Sequence, residues 1–288
     1  MVNQKALTKV KNDITSLLAL QKEYEIEPYS SGMHFDRETK YVTWKFNAKQ
    51  FKTLELLHLT DVQLGHIGCQ VDRVKEYISW VLAAKNRYVL FGGDIVDAIT
   101  KLSVGSPWEN ISDPQGQVYK ACELFAPMRH RILGYVGGNH ERRSIPTFGD
   151  LGRLISYILR IPYSGGQQLI DIHFGQHKPF KIHLWHGIGN ASTKGSKAMM
   201  IDRFMSKHPG SQLYLVGHLH DCLILPCVRS ERVPGHNRVH MAKYIGGMSS
   251  SFLETWGSYA ETMGMSPTDV LMLRTVLDAN GKFEVTIR

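Results

Sequence analysis

Two hydrophobic rhythms alternate along most of this chain. Short apolar runs occur at KTLELLHLT (52–60), RYVLFGG (87–93), RILGYVGG (131–138), FKIHLWHG (180–187) and QLYLVGH (212–218), and each ends at or just before glycine, aspartate or histidine. Between them lie QVDRVKEYISWVLAAK (70–85), GQVYKACELFAPMRH (116–130), DLGRLISYILR (150–160) and SKAMMIDRFMSKH (196–208). There the apolar positions recur every three or four residues, the spacing of a helix with one buried face. Strands alternating with helices predict an α/β fold whose sheet is largely parallel and buried on both faces.

The ends of the chain read differently. Residues 4–24 carry Leu7, Val10, Ile14, Leu17 and Leu18 at helical spacing, and MHFDRETKYVTWKF (33–46) reads as a hairpin about the turn-like DRET. Residues 1–50 are therefore taken as a helix-and-hairpin extension, and 51–288 as the main domain. Residues 239–247 suggest one more strand, and proline-bracketed 226–238 a long polar loop. The chain closes on a hairpin turning at Asn280-Gly281, a strong short turn signal.

Composition narrows the setting. Of the 288 residues 43% are hydrophobic and 21% charged, ordinary values for a globular protein with a sizeable core. No apolar run approaches the roughly 18 residues of a membrane span, and the N-terminus lacks the apolar block of a secretory signal. The four cysteines show no C-x-x-C spacing and read as free thiols in a reducing compartment, so a cytoplasmic protein is expected. The net charge of +8 either favours a polyanion such as nucleic acid or serves solubility.

The chemistry gathers at the strand ends. In an open α/β sheet the carboxyl ends of parallel strands share one edge, where ligands bind. After the five runs come Asp61, Asp94, Asn139-His140, His186, and His218 with His220. Each alone reads equally as a cap, a turn residue or a satisfied polar neighbour. Together, two aspartates, an asparagine and several histidines suit a pair of borderline divalent ions better than an all-oxygen Mg²⁺ or Ca²⁺ cage.

These residues also resemble a family. GDIVD (93–97), GNHE (138–141), the strand-end His186 and GHLH (217–220) are similar to the motifs of the calcineurin-like metallophosphoesterases, in that family's order over roughly residues 52–246. The motif arrangement is also similar to DNA-repair-exonuclease-like members, including phage ones. The resemblance implies a two-sheet α/β sandwich flanked by helices and a dinuclear metal site. It implies that Asp61 and His220 hold the first ion, that Asn139, His186 and His218 hold the second, and that Asp94 bridges them. Mn²⁺ is favoured, with Fe²⁺, Zn²⁺ or Ni²⁺ as alternatives. A metal-activated hydroxide would attack phosphorus in line, with His140 protonating the leaving oxygen or stabilising its charge. Asp97 and Glu141 would orient histidines or act as surface carboxylates, and Arg142 and Arg143 would hold phosphate or remain solvated.

One motif departs from the pattern. TDVQLGH (60–66) has Gln63 where the family ordinarily carries histidine. A neutral amide oxygen is a poorer ligand for these ions, so the first site is expected to be weak. His66 would line the pocket, cap the loop or swing in as a substitute. The functional expectation is a phosphodiesterase or nuclease acting on DNA or RNA. The alternatives are a small-molecule phosphoesterase for nucleotides or cyclic nucleotides, and a non-catalytic binding protein with a degenerate site. Besides the charge, the nucleic-acid reading draws on Lys194, Lys197, Arg229, Arg232 and Arg238, placed near the active edge. It also draws on a stripe of Phe252, Trp256 and Tyr259, which reads either as a base-stacking face or as a helix packed on the core.

Overall fold

The structure is a computed structural model that describes residues 27–28, 38–100, 103, 107–233, 235–256, 261, 264 and 267–288. Thirteen strands are formed among these. They are β1 (Glu27–Pro28), β2 (Tyr41–Phe46), β3 (Thr53–Leu59), β4 (Arg87–Phe91), β5 (Ile132–Val136), β6 (Tyr163–Ser164) and β7 (Gln167–Phe174), followed by β8 (Phe180–Trp185), β9 (Leu213–Val216), β10 (Leu223–Arg232), β11 (Val239–Met248), β12 (Leu273–Asp278) and β13 (Phe283–Ile287). The five helices used below are α1 (Val71–Leu82), α2 (Pro114–Phe125), α3 (Asn139–Arg143), α4 (Leu151–Leu159) and α5 (Lys194–Lys207).

The strands make two mixed sheets. One has the order β1-β2-β7-β8-β9-β11-β10, the other β13-β12-β3-β4-β5-β6. Their facing sides share one core, in which Leu54, Leu56, Leu90 and Leu133 meet Trp44, Ile170, Ile182 and Leu184. A second core lies under α1, α2 and α4, and a third, with Ile201, Phe204, Tyr214 and Val216, under α5. The apolar runs are therefore buried on both faces. Leu56 and Leu57 point to opposite sides of β3 yet are 1% and 0% exposed, and each such burial stabilises the fold by about 1.5–3 kcal/mol. The result is a two-sheet α/β sandwich flanked by helices, as the family resemblance implies. The strand–helix alternation predicts the α/β class, but the sheets are mixed and not largely parallel, because β1, β7, β10, β12 and β13 pair antiparallel.

All five apolar runs and all four helical segments form where expected, with local signals that explain their bounds. Asp113 caps α2 by accepting from the Gly116 N–H, with Pro114 in the first turn. The segment predicted to stay helical to residue 130 tightens to a 3₁₀ turn at Ala126–Arg131, because Pro127 has no N–H to continue the helix. Thr193 and Ser196 cap α5 reciprocally.

Several expectations do not hold. The loop predicted at 226–238 is largely strand β10, paired antiparallel with β11, and Pro226 is tolerated because β10 is an edge strand. Strand β7 was hidden by its mixed polar sequence, QQLIDIHF. The Phe252–Trp256 stripe does not form: Phe252 is buried against Tyr77 while Trp256 is 68% exposed, with no helix over 249–256. Tyr259, the helix predicted at 4–24 and the first arm of the hairpin lie outside the described residues. The second arm is β2, which pairs antiparallel with β1 and parallel with β7.

Strands β3, β4 and β5 run parallel in one sheet, and β8 and β9 in the other. Their carboxyl ends are tied together by backbone bonds from Asp61 N to Gly93 O at 2.9 Å and from Gly217 N to His186 O at 2.9 Å.

Candidate metal centre

Among the described residues seven non-glycine ones have left-handed φ, and five of them are predicted site residues: Asp61 (51°), Gln63 (50°), Asp94 (52°), His218 (71°) and His220 (47°). Strands β3, β4 and β9 end in such turns, at Asp61, Asp94 and His218, which aim those side chains back across the strand ends. Backbone of this kind concentrates at functional sites, where the surroundings must enforce it. Two glycines make the enclosure tight. A Cβ on Gly138 would collide with the Asp94 carboxylate, and one on Gly217 with Asp61 and Thr60.

Asp94, His186 and His218 each offer a ligand atom, all within 4.8 Å of one another. His186 Nε2 lies 3.1 Å from Asp94 Oδ2 and 3.0 Å from Asn139 Oδ1, and His218 Nδ1 lies 2.8 Å from the same Asn139 oxygen. The second nitrogen of each ring is held by a backbone carbonyl, Gly92 O at 2.7 Å for His186 and Gly189 O at 2.8 Å for His218. This support orients both imidazoles, as is usual for metal-binding histidines.

Beside this group stands a second one. Asp61 is wholly buried, accepts from Thr60 Oγ1 at 2.7 Å and from the His218 N–H at 2.9 Å, and lies 3.3 Å from His220 Nε2. Gln63 Nε2 sits 3.2 Å from His220 Nε2, and the buried Gln63 Oε1 has no hydrogen-bond partner among the described residues. The orphaned amide oxygen, the histidine and the carboxylate together suit a cation, with one neutral ligand where imidazole would bind more strongly. The donor sets therefore fit one well-furnished ion position and one poorer one.

Electrostatics favour a cation as well. Burial works against ionising Asp94, yet His140 and His186 beside it hold its carboxyl far below the usual carboxylate range. Asp61 is lowered likewise, burial being outweighed by the bond from His220 and by His186. Burial opposes charge on His186, but Asp94 and Asp61 raise it to about 10. A cation taking the place of that proton would bind ligands already fixed around it.

His140 lies beside the ligand groups. Its Nδ1 is 2.8 Å from Asp97 Oδ1 and its Nε2 is 3.6 Å from Asp94 Oδ2. Burial lowers its basicity, but Asp94 and Asp97 raise it above the ordinary value. Asp97 therefore orients a histidine, as expected, and is itself held by Asn110 Nδ2 at 2.6 Å. Glu141 orients none. Its oxygens accept the N–H groups of Gly138 (2.9 Å), Asp94 (3.0 Å) and Ile95 (2.5 Å) and the Tyr135 hydroxyl (3.0 Å), which locks the GDIVD turn to the GNHE turn.

The basic residues divide. Arg142 is exposed and lines a cleft of about 630 Å³ beside Asn139, His186 and His218. Arg143 also reaches the cleft, but its guanidinium bonds Asp97 Oδ1 at 3.1 Å and lies 2.8 Å from His140 Nδ1. His66 is 2% exposed, accepts from the Gly68 N–H at 2.9 Å and does not line the cleft, so it caps its loop. Lys197 is buried in an ion pair with Asp221 (3.1 Å), next to His220, and Lys194 lies 3.9 Å from the same carboxylate. Arg229, Arg232 and Arg238 are not at the active edge. Strand β11 runs parallel to β9, so the β10–β11 turn is at the opposite end of the sheet.

Sequence reasoning missed the other cleft wall, formed by Ile145, Trp185, Ile188 and Asn190. Ile188 and Asn190 follow a strand end, and nothing in strand-end chemistry marks them.

No protein-family model matches the chain, and neither does any curated protein. Among solved structures it is similar to the NAD nucleotidase NadN of Haemophilus influenzae, at 13% identity over 81% of this chain and 49% of that one, with a TM-score of 0.36. It is also similar to a Saccharomyces cerevisiae serine/threonine phosphatase related to human PP5, at 11% identity over 88% of this chain and 84% of that one, with a TM-score of 0.38. The chain thus spans about half the length of the nucleotidase. At these values neither likeness bears on chemistry, which rests on the residues themselves.

Proposed function

We propose that this chain is a metal-dependent phosphoester hydrolase of the calcineurin-like class, acting as a phosphodiesterase on DNA or RNA. The observation that carries the reading is the convergence of Asp94, Asn139, His186 and His218 at the ends of four different strands, with Asp61, Gln63 and His220 alongside. In this reading Asp94, Asn139, His186 and His218 would hold one divalent ion, and Asp61, Gln63 and His220 would hold a second beside Asp94. Bound ions of this kind polarise phosphoryl oxygens and lower the pKa of an attacking water.

The chain's own residues supply the rest. Arg142 binds a non-bridging phosphate oxygen from the exposed lip of the cleft. Asp97 fixes the His140 tautomer through Nδ1, leaving Nε2 to carry a proton to the leaving oxygen. Burial works against charge on His140, but the Asp94 and Asp97 carboxylates raise its basicity above the ordinary value and so favour its protonated form. Trp185 and Ile188 make an apolar wall that seats the organic part of the ester and shields the reacting edge from water.

The basic charge and the open cleft support a polymeric substrate. A nucleotide or cyclic nucleotide is the second reading, favoured by the same apolar wall, which matches one base.

The test is hydrolysis of bis(p-nitrophenyl) phosphate and p-nitrophenyl phosphate across a Mn²⁺ titration, with Asp94→Ala as control. Diester cleavage lost in the control is the expected result. Monoester preference would move the small-substrate reading ahead, and no turnover with Mn²⁺, Fe²⁺, Zn²⁺ or Ni²⁺ would overturn the proposal in favour of a binding protein.

A further inference from the structure

Strand β9 pairs with β11 only over residues 245–248, so beyond them β10 and β11 have only each other. They leave the sheet as a two-stranded ribbon that turns at 233–238. From Met248 at the active edge to Val239 is nine residues, or about 30 Å at the rise of a strand.

The ribbon carries four basic side chains, Arg229, Arg232, Arg238 and Lys243, against one acidic, Glu231. Cross-strand partners share a face, so Val228–Lys243, Ser230–Met241 and Arg232–Val239 lie together. All six are exposed, with Val228 at 52%, Met241 at 58% and Val239 at 66%. Arg232, Arg238 and Lys243 have no ion pair among the described residues. On the other face Arg229 stacks over Tyr244 at 4.2 Å.

We propose that this ribbon is a nucleic-acid-binding arm that grips backbone phosphates at a distance from the metal centre. The proposal deepens the phosphodiesterase reading and rests on it for what the arm serves. Unpaired guanidinium and ammonium groups on a projecting strand pair suit phosphate oxygens. A two-stranded ribbon also has the width of a major groove, with small apolar side chains to meet base edges. A second copy of the chain fits worse, since pairing β10 edges would bring Arg229 and Arg232 against their own likes. A lipid surface also fits worse, because the described ribbon lacks exposed aromatic anchors. The arm stands opposite the active edge, so a strand held at both places must span about 30 Å, roughly ten base pairs.

The test is binding of a fluorescein-labelled 30-base-pair duplex, and of a 6-base-pair one, to the full chain in EDTA over a range of salt. The variant combines Arg232→Glu, Arg238→Glu and Lys243→Glu. A second one combines Arg232→Gln, Arg238→Gln and Lys243→Gln, and serves if the first lowers thermal stability. The expected result is at least tenfold weaker binding of the long duplex, with the log–log salt slope shallower by about 2–3, from ~0.9 per lost phosphate contact. Hydrolysis of bis(p-nitrophenyl) phosphate should stay unchanged. That separates the two claims: a wild type that binds duplex but hydrolyses nothing keeps the arm and overturns the hydrolase reading. Unchanged affinity and slope would overturn the arm. So would wild type that binds only phosphatidylserine vesicles, or a variant whose one change is loss of self-association in sedimentation.

Discussion

The Glu141 side chain offers the sharpest check on how the site is held. It is fully buried, and all four of its closest hydrogen-bonding neighbours, the N–H groups of Asp94, Ile95 and Gly138 and the Tyr135 hydroxyl, are donors. Glu141→Gln keeps the shape but turns an amide NH₂ towards two of them. Bonds to a charged acceptor contribute about 1.5–3 kcal/mol each, so losing two would cost about 3–6 kcal/mol. Part is recovered, because burial and the nearby Asp94 charge raise the Glu141 pKa and so disfavour its charged form. A net loss of about 4 kcal/mol remains. With an unfolding entropy of ~2.1 cal/mol/K per residue over 288 residues, this lowers Tm by about 7 °C. Calorimetry in EDTA would measure it, alongside Mn²⁺-supported hydrolysis, which should fall with the displaced Asp94. A Tm within 1 °C of wild type, with activity intact, would refute the idea that Glu141 locks the two turns together.

Three further outcomes follow from the same geometry. Gln63→His restores imidazole beside Asp61 and His220, so the metal retained after dialysis, read by atomic emission, should rise from about one to about two ions per chain; an unchanged count counts against a second ion position there. Arg142→Ala should raise KM for a phosphodiester about tenfold with kcat nearly unchanged, since a charged hydrogen bond of about 1.5 kcal/mol is lost, whereas Arg143→Ala should lower kcat through His140 and Asp97. Acid should destabilise the fold through His58, whose buried ring is depressed to about 3 by desolvation. Its unfolded form takes up a proton below about 6.5 and its folded form does not, so stability is full above that pH and falls by about 2 kcal/mol on going to pH 5. Denaturant unfolding at pH 7.5 and 5, compared with His58→Asn, reads it; equal slopes with pH would contradict it.

What could be read from the sequence follows the physics of each signal. Strands β3, β4, β5, β8 and β9 are buried on both faces, so their apolar runs are continuous and their ends visible, and with them Asp61, Asp94, His186 and His218. Strand β10 has polar residues at alternate exposed positions, with a proline that is harmless only at an edge; neither property separates it from a loop. Arg142 and Arg143 are neighbours with opposite orientations, and only the α3 backbone decides which one meets Asp97. The same holds for Phe252 and Trp256: helical spacing means nothing where no helix forms. The misplaced Arg229, Arg232 and Arg238 show a third limit, because strand direction, unlike strand position, is not written in hydrophobicity.

The left-handed turns at Asp61, Gln63, Asp94, His218 and His220 carry a consequence for how this chain can change over time. Each costs about 1–2 kcal/mol relative to glycine, so the five together withhold on the order of 5–10 kcal/mol from the fold. Glycine at any of them would therefore be rewarded by heat tolerance and would remove a side chain that the proposed metal site needs. Selection for thermal endurance alone, with no demand on activity, should convert these positions first, and the order in which they turn to glycine would rank how much each matters to function.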